Sequence, residues 1–258
     1  MKTVIFSHGD KGGVGKSMVA AAMVDLVVEK LGACTALDGD NKTPDMRNRF
    51  IDTPSVSTLH MQINMAGAAS EAVGRLAGII EDSADAFVIV NLPSNAGDTL
   101  DAMGGMLRDV CDDIGVRMAV TYSLGEHDEA ADGLIGSLDG RFLSAFDPRD
   151  RIVLFPAFIG EKEKFAWCGR PEYRDYIGLQ DAFPCLEPKF VFTDVIRQTG
   201  LFSEMVMRKP QGFTAYHKVA LRNWRSEVAA RLEPLLFPDG VEGYMENHAR
   251  DGDDDDDA

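Results

Sequence analysis

The chain has 258 residues, 45% of them hydrophobic, with 42 acidic against 26 basic side chains and a formal charge of −16. That length suffices for one large domain with a sizeable core, and the acidic balance argues against attraction of the whole chain to nucleic acid or anionic lipid. The four cysteines, Cys34, Cys111, Cys168 and Cys185, are scattered without a C-x-x-C pair, which argues against a disulfide framework or cysteine metal site and fits a reducing compartment.

The apolar run Thr3-Val4-Ile5-Phe6 predicts a strand that starts almost at the first residue. No signal peptide precedes it and no apolar run is long enough to span a bilayer, so a cytoplasmic protein with no membrane anchor is expected. Lys11-Gly12-Gly13-Val14-Gly15-Lys16-Ser17 follows, and an Ala/Met/Val/Leu-rich helix is predicted from Met18 to Leu31. Strand, glycine loop and helix suit phosphate. Glycines let successive N–H groups point at one anion, and the helix N-terminus adds positive partial charge. Lys16 can reach terminal phosphates, and the Ser17 hydroxyl can hold Mg²⁺. The strict G-x-x-x-x-G-K-[ST] pattern would need glycine at position 10, where this chain has Asp10.

With its additional lysine, K-G-G-V-G-K-S resembles the deviant Walker A box of the ParA/MinD family of ATPases. The resemblance implies a P-loop NTPase fold, ATP with Mg²⁺, and a nucleotide site drawn from Asp10, Lys11, Gly12, Gly13, Val14, Gly15, Lys16, Ser17 and Met18. It also implies that Lys11 reaches across a dimer interface to the partner's nucleotide, with Lys11 and Lys16 serving catalysis.

Residues 33–37 predict a second strand, ending in Asp38-Gly39-Asp40. Ligands of open α/β sheets bind at strand carboxyl ends. The D-x-D pair matches the family's switch I. By that resemblance one of the two orients the attacking water and the other belongs to the Mg²⁺ shell; the assignment taken is Asp40 for the water and Asp38 for the metal. Residues 54–85 show helical spacing through Met61, Met65, Ala68, Ala72, Leu76 and Ile80, and the methionines read as core filling. Residues 86–90 are apolar throughout, as in a central parallel strand. At its end the family places an aspartate, and this chain has Asn91. Asparagine can hydrogen-bond a metal-bound water, so Asn91 joins Ser17 and Asp38 as a metal-site residue. It lacks the charge and cannot take a proton, which puts efficient hydrolysis in question while leaving ATP binding largely intact.

Helices are predicted at 100–111 and 126–146, and strands at 117–123 and 151–156. Relatives often read adenine with an asparagine after the latter strand. Here the sequence is Pro156-Ala157-Phe158, so Pro156 and Phe158 are the base-side residues, through backbone groups or the Phe158 ring. Residues 161–175 read as a surface loop or short helix, 185–192 as a last strand. The phrase at 194–202 resembles the plasmid-borne TraL- and StbB-like branch of the superfamily, which acts in conjugal transfer and plasmid stability. Residues 216–236 predict a final helix with Leu221, Trp224, Val228, Leu232 and Leu235 inward. Arg208, Lys209, Lys218, Arg222, Arg225 and Arg231 make residues 208–231 locally basic, either a solvated face or a docking surface for DNA or a DNA-bound partner. An aspartate-rich end closes the chain.

The expectation is therefore an α/β protein with a mostly parallel sheet covered by helices on both faces, a nucleotide-binding domain at 1–237 and a disordered acidic tail at 238–258. The function expected is an ATP-dependent dimerisation switch that positions or partitions a plasmid, DNA complex or protein cargo. The alternatives are an ATP-dependent small-molecule ligase of the same superfamily and a scaffold that binds nucleotide without turning it over.

Overall fold

The computed structural model describes residues 1–9, 11–40, 44–63, 69–94 and 97–251. Among them, seven strands form one sheet in the order β3-β2-β4-β1-β5-β6-β7, every neighbouring pair parallel. The strands are β1 (Thr3–His8), β2 (Cys34–Asp38), β3 (Val56–His60), β4 (Phe87–Asn91), β5 (Arg117–Ser123), β6 (Arg151–Pro156) and β7 (Leu179–Phe183). β1, β2 and β4 are buried along their whole length, as strands covered on both faces of a parallel sheet are.

Alternation along β1 sends Ile5 to one face and Val4 and Phe6 to the other. The Ile5 face is covered by α1 (Lys16–Leu31), α2 (Asp45–Phe50), α7 (Lys189–Ile196), α8 (Phe202–Arg208) and α9 (Ala215–Leu236). The Phe6 face is covered by α3 (Ala69–Asp82), α4 (Gly97–Asp113), α5 (Asp128–Leu138) and the 3₁₀ turn Phe142–Ala145. A short α6 (Pro171–Asp175) precedes β7, and α10 (Gly240–Asp251) follows α9. Parallel strands need such crossovers, and each returns the chain to the same edge of the sheet.

Several sequence expectations are corrected. The helical reading of 54–85 holds only from Ala69; β3 occupies Val56–His60. β3 is an edge strand with only Val56 buried, so it shows no apolar run. Met65 and Ala68 fall outside the described residues. The last strand is β7 rather than 185–192, where residues from Lys189 onward coil into α7 and bury Val191 and Val195 four apart. Past residue 237, Tyr244 of α10 packs on Phe87 (5.2 Å) and Phe237 (5.6 Å), and residues 252–258 lie outside the described part. The final helix agrees with its pattern: Leu221, Trp224, Val228, Leu232 and Leu235 are all buried.

The basic stretch is less available than its composition suggests. Arg225 bonds Asp25 of α1 (2.7 Å) and pairs with Glu29 (3.0 Å). Arg231 donates to the Ala182 carbonyl (3.1 Å). Asp25, 2% exposed, also accepts from the backbone N–H and hydroxyl of Ser203 (2.8 Å each), tying α1, α8 and α9 together. Breaking a buried pair by removing one partner strands the other charge. Asp25→Ala is expected to cost about 3 kcal/mol, measured by urea unfolding; a loss within the range of an exposed pair, under about 1 kcal/mol, would contradict this role.

Candidate functional site

The glycine loop bridges β1 and α1. Gly13 (φ 81°) and Gly15 (φ 91°) hold left-handed backbone that only glycine adopts without strain, and Gly15 caps α1. Lys16 folds back over the loop, its Nζ donating to the Lys11 carbonyl at 2.7 Å. Behind it, the Ser7 hydroxyl donates to the Lys16 carbonyl at 2.9 Å and fixes the helix start to β1. Gly12, Gly13, Gly15, Lys16, Ser17 and Met18 line a cavity of about 800 Å³. Val14 does not: it is 4% exposed and turns into the core, so it offers the site backbone only. Asp10 lies outside the described residues.

Lys11 stands apart from its own cavity. Half exposed, it pairs with Glu129 near the start of α5 at 3.4 Å. The Glu129 carboxyl is held below its ordinary range first by its own N–H at the helix start, then by Lys11.

The ends of β2 and β4 meet at Asp38 and Asn91. Asp38 is fully buried. One carboxylate oxygen accepts from the Asp40 N–H (3.2 Å) and the Asn91 side-chain amide (3.2 Å); the other accepts from the Met46 and Arg47 N–H groups (3.0 and 3.3 Å) in the first turn of α2. Burial pushes the Asp38 carboxyl up from its ordinary value, against the opposing pull of these bonds. Asn91, 2% exposed, also points Nδ2 at the Ser17 hydroxyl, 3.5 Å away, while its Oδ1 is buried without a partner. Gly39 allows the close approach. A Cβ there would lie 2.9 Å from the Asn91 carbonyl, which accepts the Gly39 N–H at 2.9 Å. Asp40 lines the cavity.

The cavity's far end is aromatic, walled by Phe183, Leu186, Phe192 and Trp224. Phe158, 51% exposed, arches over the loop: a Cβ on Gly15 would lie 3.2 Å from its ring. Pro156 is buried at the end of β6, and Ala157 and Phe158 form the wall in its place. Sequence reasoning missed this aromatic end. Placing the last strand at 179–183 would have exposed it, because Phe183-Pro184-Cys185 then falls at a strand's carboxyl end.

The structure thus gathers Gly12 to Met18 except Val14, together with Asp40, Asn91 and Phe158, around one cavity. An anion of polyphosphate type fits the loop: Gly12, Gly13, Gly15 and Lys16 line the cavity where α1 begins, and glycine N–H groups, a helix N-terminus and an ammonium are the donors such an anion takes. A divalent cation fits less well. The Ser17 hydroxyl is the right kind of donor, but the Asp38 oxygens are engaged by four N–H donors and Asn91 turns its amide nitrogen toward Ser17. No group of three or more His, Cys, Asp or Glu suited to a metal occurs among the described residues.

No family model matches the chain. It is 21% identical over 241 residues to protein MobD of Acidithiobacillus ferrooxidans, covering 91% of this chain and 98% of MobD. Apo McdA of Cyanothece matches with a TM-score of 0.51 and 14% identity over 88% of this chain and 99% of McdA. The fold is that of the ParA/MinD-type P-loop ATPases. A ParA family ATPase from Chlorobium tepidum matches at a TM-score of 0.47 and 13% identity, over 87% of this chain and 97% of that one. The ParA/MinD-type fold accounts for the site's place on the molecule, at the carboxyl edge of the sheet.

His8, at the end of β1, is not part of that edge's chemistry. It is buried edge-on against Tyr122 and Phe142, and burial, with the Lys16 charge second, lowers its pKa to about 3. Between its ordinary value near 6.5 and that value, the unfolded chain binds a proton that the folded chain excludes. Stability should therefore fall as pH drops through this window. Asp38 acts in the opposite sense, so the comparison needs a variant. His8→Leu should flatten the decline in urea midpoint between pH 7 and pH 4, and parallel curves for wild type and variant would show that His8 is not the cause.

Proposed function

We propose that the protein is an ATP-binding, slowly hydrolysing switch whose dimerisation is controlled by nucleotide. The observation that carries this reading is the glycine cradle opening into a cavity of about 800 Å³ while Lys11 faces outward, away from its own cradle. Triphosphate lies along Gly12 to Ser17 with Lys16 on the terminal groups, and the sugar and base extend under Phe158 toward Phe183 and Trp224. Lys11 then exchanges Glu129 for the phosphates of a second copy. The exposed Lys11–Glu129 pair is weak, so it yields readily to a polyphosphate. Nucleotide acts here only through its different affinity for monomer and dimer.

Catalysis in this reading is slow. Positioning and charge neutralisation by Lys16 and the partner's lysine are available, and Asp40 is the carboxylate at the cavity wall that can orient water. Asn91 can accept no proton, and Asp38 is spent on the start of α2. The same two residues support a second reading, a scaffold that binds nucleotide and barely turns it over.

The cargo is a plasmid, a DNA complex or a protein, in a role akin to the TraL/StbB branch. DNA contact would fall to Arg208, Lys209 and Arg222, which stay exposed, with Lys218 half-buried beside them. So few phosphate contacts would make binding weak and steeply salt-dependent. No helix among the described residues is long and apolar enough to cross a membrane.

The test is solution mass by light scattering with ATP, ADP or no nucleotide. Mass is expected to double with ATP in the wild type and to stay monomeric in Lys11→Ala while that variant still binds ATP. A wild-type mass that ignores bound ATP would end the dimer reading and favour the scaffold.

A further inference from the structure

We propose that this site takes up nucleoside triphosphate with little need for a divalent cation, because Asn91 presents a hydrogen-bond donor where a cation would be held. The inference rests on the reading of the cavity as a nucleotide site. In a P-loop the serine hydroxyl and the nucleotide's phosphate oxygens share the cation, and a carboxylate at the end of a neighbouring strand offsets its charge through water. Here the group facing the Ser17 hydroxyl is the Asn91 amide nitrogen at 3.5 Å. Its two hydrogens carry positive partial charge, which opposes a cation at that hydroxyl.

The amide is locked in this sense. Nδ2 donates to Asp38 at 3.2 Å. Turning the side chain over would set an amide oxygen against a carboxylate oxygen with no proton between them, at a buried position where that repulsion is poorly screened. The lock has a cost that shows in the structure: Asn91 Oδ1 is left buried without a partner. Asp38 cannot substitute for the missing charge. Both of its oxygens are already engaged, by four N–H partners, three of them backbone and two of those in the first turn of α2.

The anion side of the balance changes too. An aspartate at position 91 would set a second negative group against the triphosphate, and a cation would be required to bridge them. The neutral amide removes that repulsion, leaving Lys16 and the loop N–H groups to hold the phosphates alone. Metal-free binding is thus tolerated at the expense of the metal's contribution to bond cleavage.

The experiment is fluorescence anisotropy of mant-ATP with the full chain, in excess Mg²⁺ and in EDTA, for wild type and Asn91→Asp. The wild-type Kd should differ by less than about threefold between the two buffers, and Asn91→Asp should widen that ratio beyond about tenfold. A wild-type Kd weakened tenfold or more by EDTA, with good binding in Mg²⁺, overturns the inference and leaves the nucleotide reading intact. An equal ratio in wild type and Asn91→Asp removes Asn91 as the cause. Binding in neither buffer overturns the nucleotide reading and this inference with it. Circular dichroism establishes that the variant folds; if it does not, the wild-type ratio alone decides.

Discussion

Seven strands that all run the same way must bring all their carboxyl ends to one edge, and the site depends on that constraint. β1 lies in the middle of the sheet, with β4 and β5 on either side. The loop after β1 therefore emerges between the loops that follow its neighbours. Backbone hydrogen bonds stitch them: Leu92 N–H to the Ser7 carbonyl at 3.1 Å, Gly39 N–H to the Asn91 carbonyl at 2.9 Å. Sheet register alone therefore holds Ser7, Gly39 and Asn91 next to one another at that edge.

The same edge communicates with the helices beneath it. Asp38 holds the first turn of α2. Farther along α2, the Arg49 guanidinium lies 4.1 Å from the centre of the Phe202 ring, and the Arg49 carbonyl accepts from Gly200 just before α8. Burial lowers the Arg49 pKa to about 10, which still leaves it charged at neutral pH. α8 in turn donates through Ser203 to Asp25, on the helix that begins at the glycine loop. The chain of contacts leaves the glycine loop along α1 and returns to Asp38 through α8 and α2. A displacement at Asp38 is thereby opposed by packing on three helices.

Legibility in the sequence followed the strength of the local constraint. The glycine loop could be read because its backbone demands glycine at 13 and 15 whatever surrounds it. β1 and β4 could be read because burial on both faces leaves the apolar runs Val4–Phe6 and Phe87–Val90, and β5 through its shorter run Met118-Ala119-Val120. β3 could not, since an edge strand with one buried residue has no such pattern. α7 was misread because Phe190-Val191-Phe192 suits a strand locally, while the burial of Val191 and Val195 is decided by the sheet face they meet. At the site, the asparagine at position 91 was plain from sequence. The direction of its amide was not, because Asp38, 53 residues away, sets it. The basic stretch misled for the same reason: Arg225 looks available until Asp25, 200 positions distant, is seen beside it.

The chain has two tryptophans. Trp167 is fully buried, its indole N–H bonded to Gln180, and it has no part in the cavity wall. Trp224 forms part of that wall at the aromatic end, its own N–H bonded to the Pro184 carbonyl at 2.9 Å. A base stacked against that end would change the polarity and ring contacts around one indole and leave the other as an internal reference. The protein thus carries its own optical gauge of occupancy, and Trp167→Phe would leave Trp224 as the single emitter that reads it.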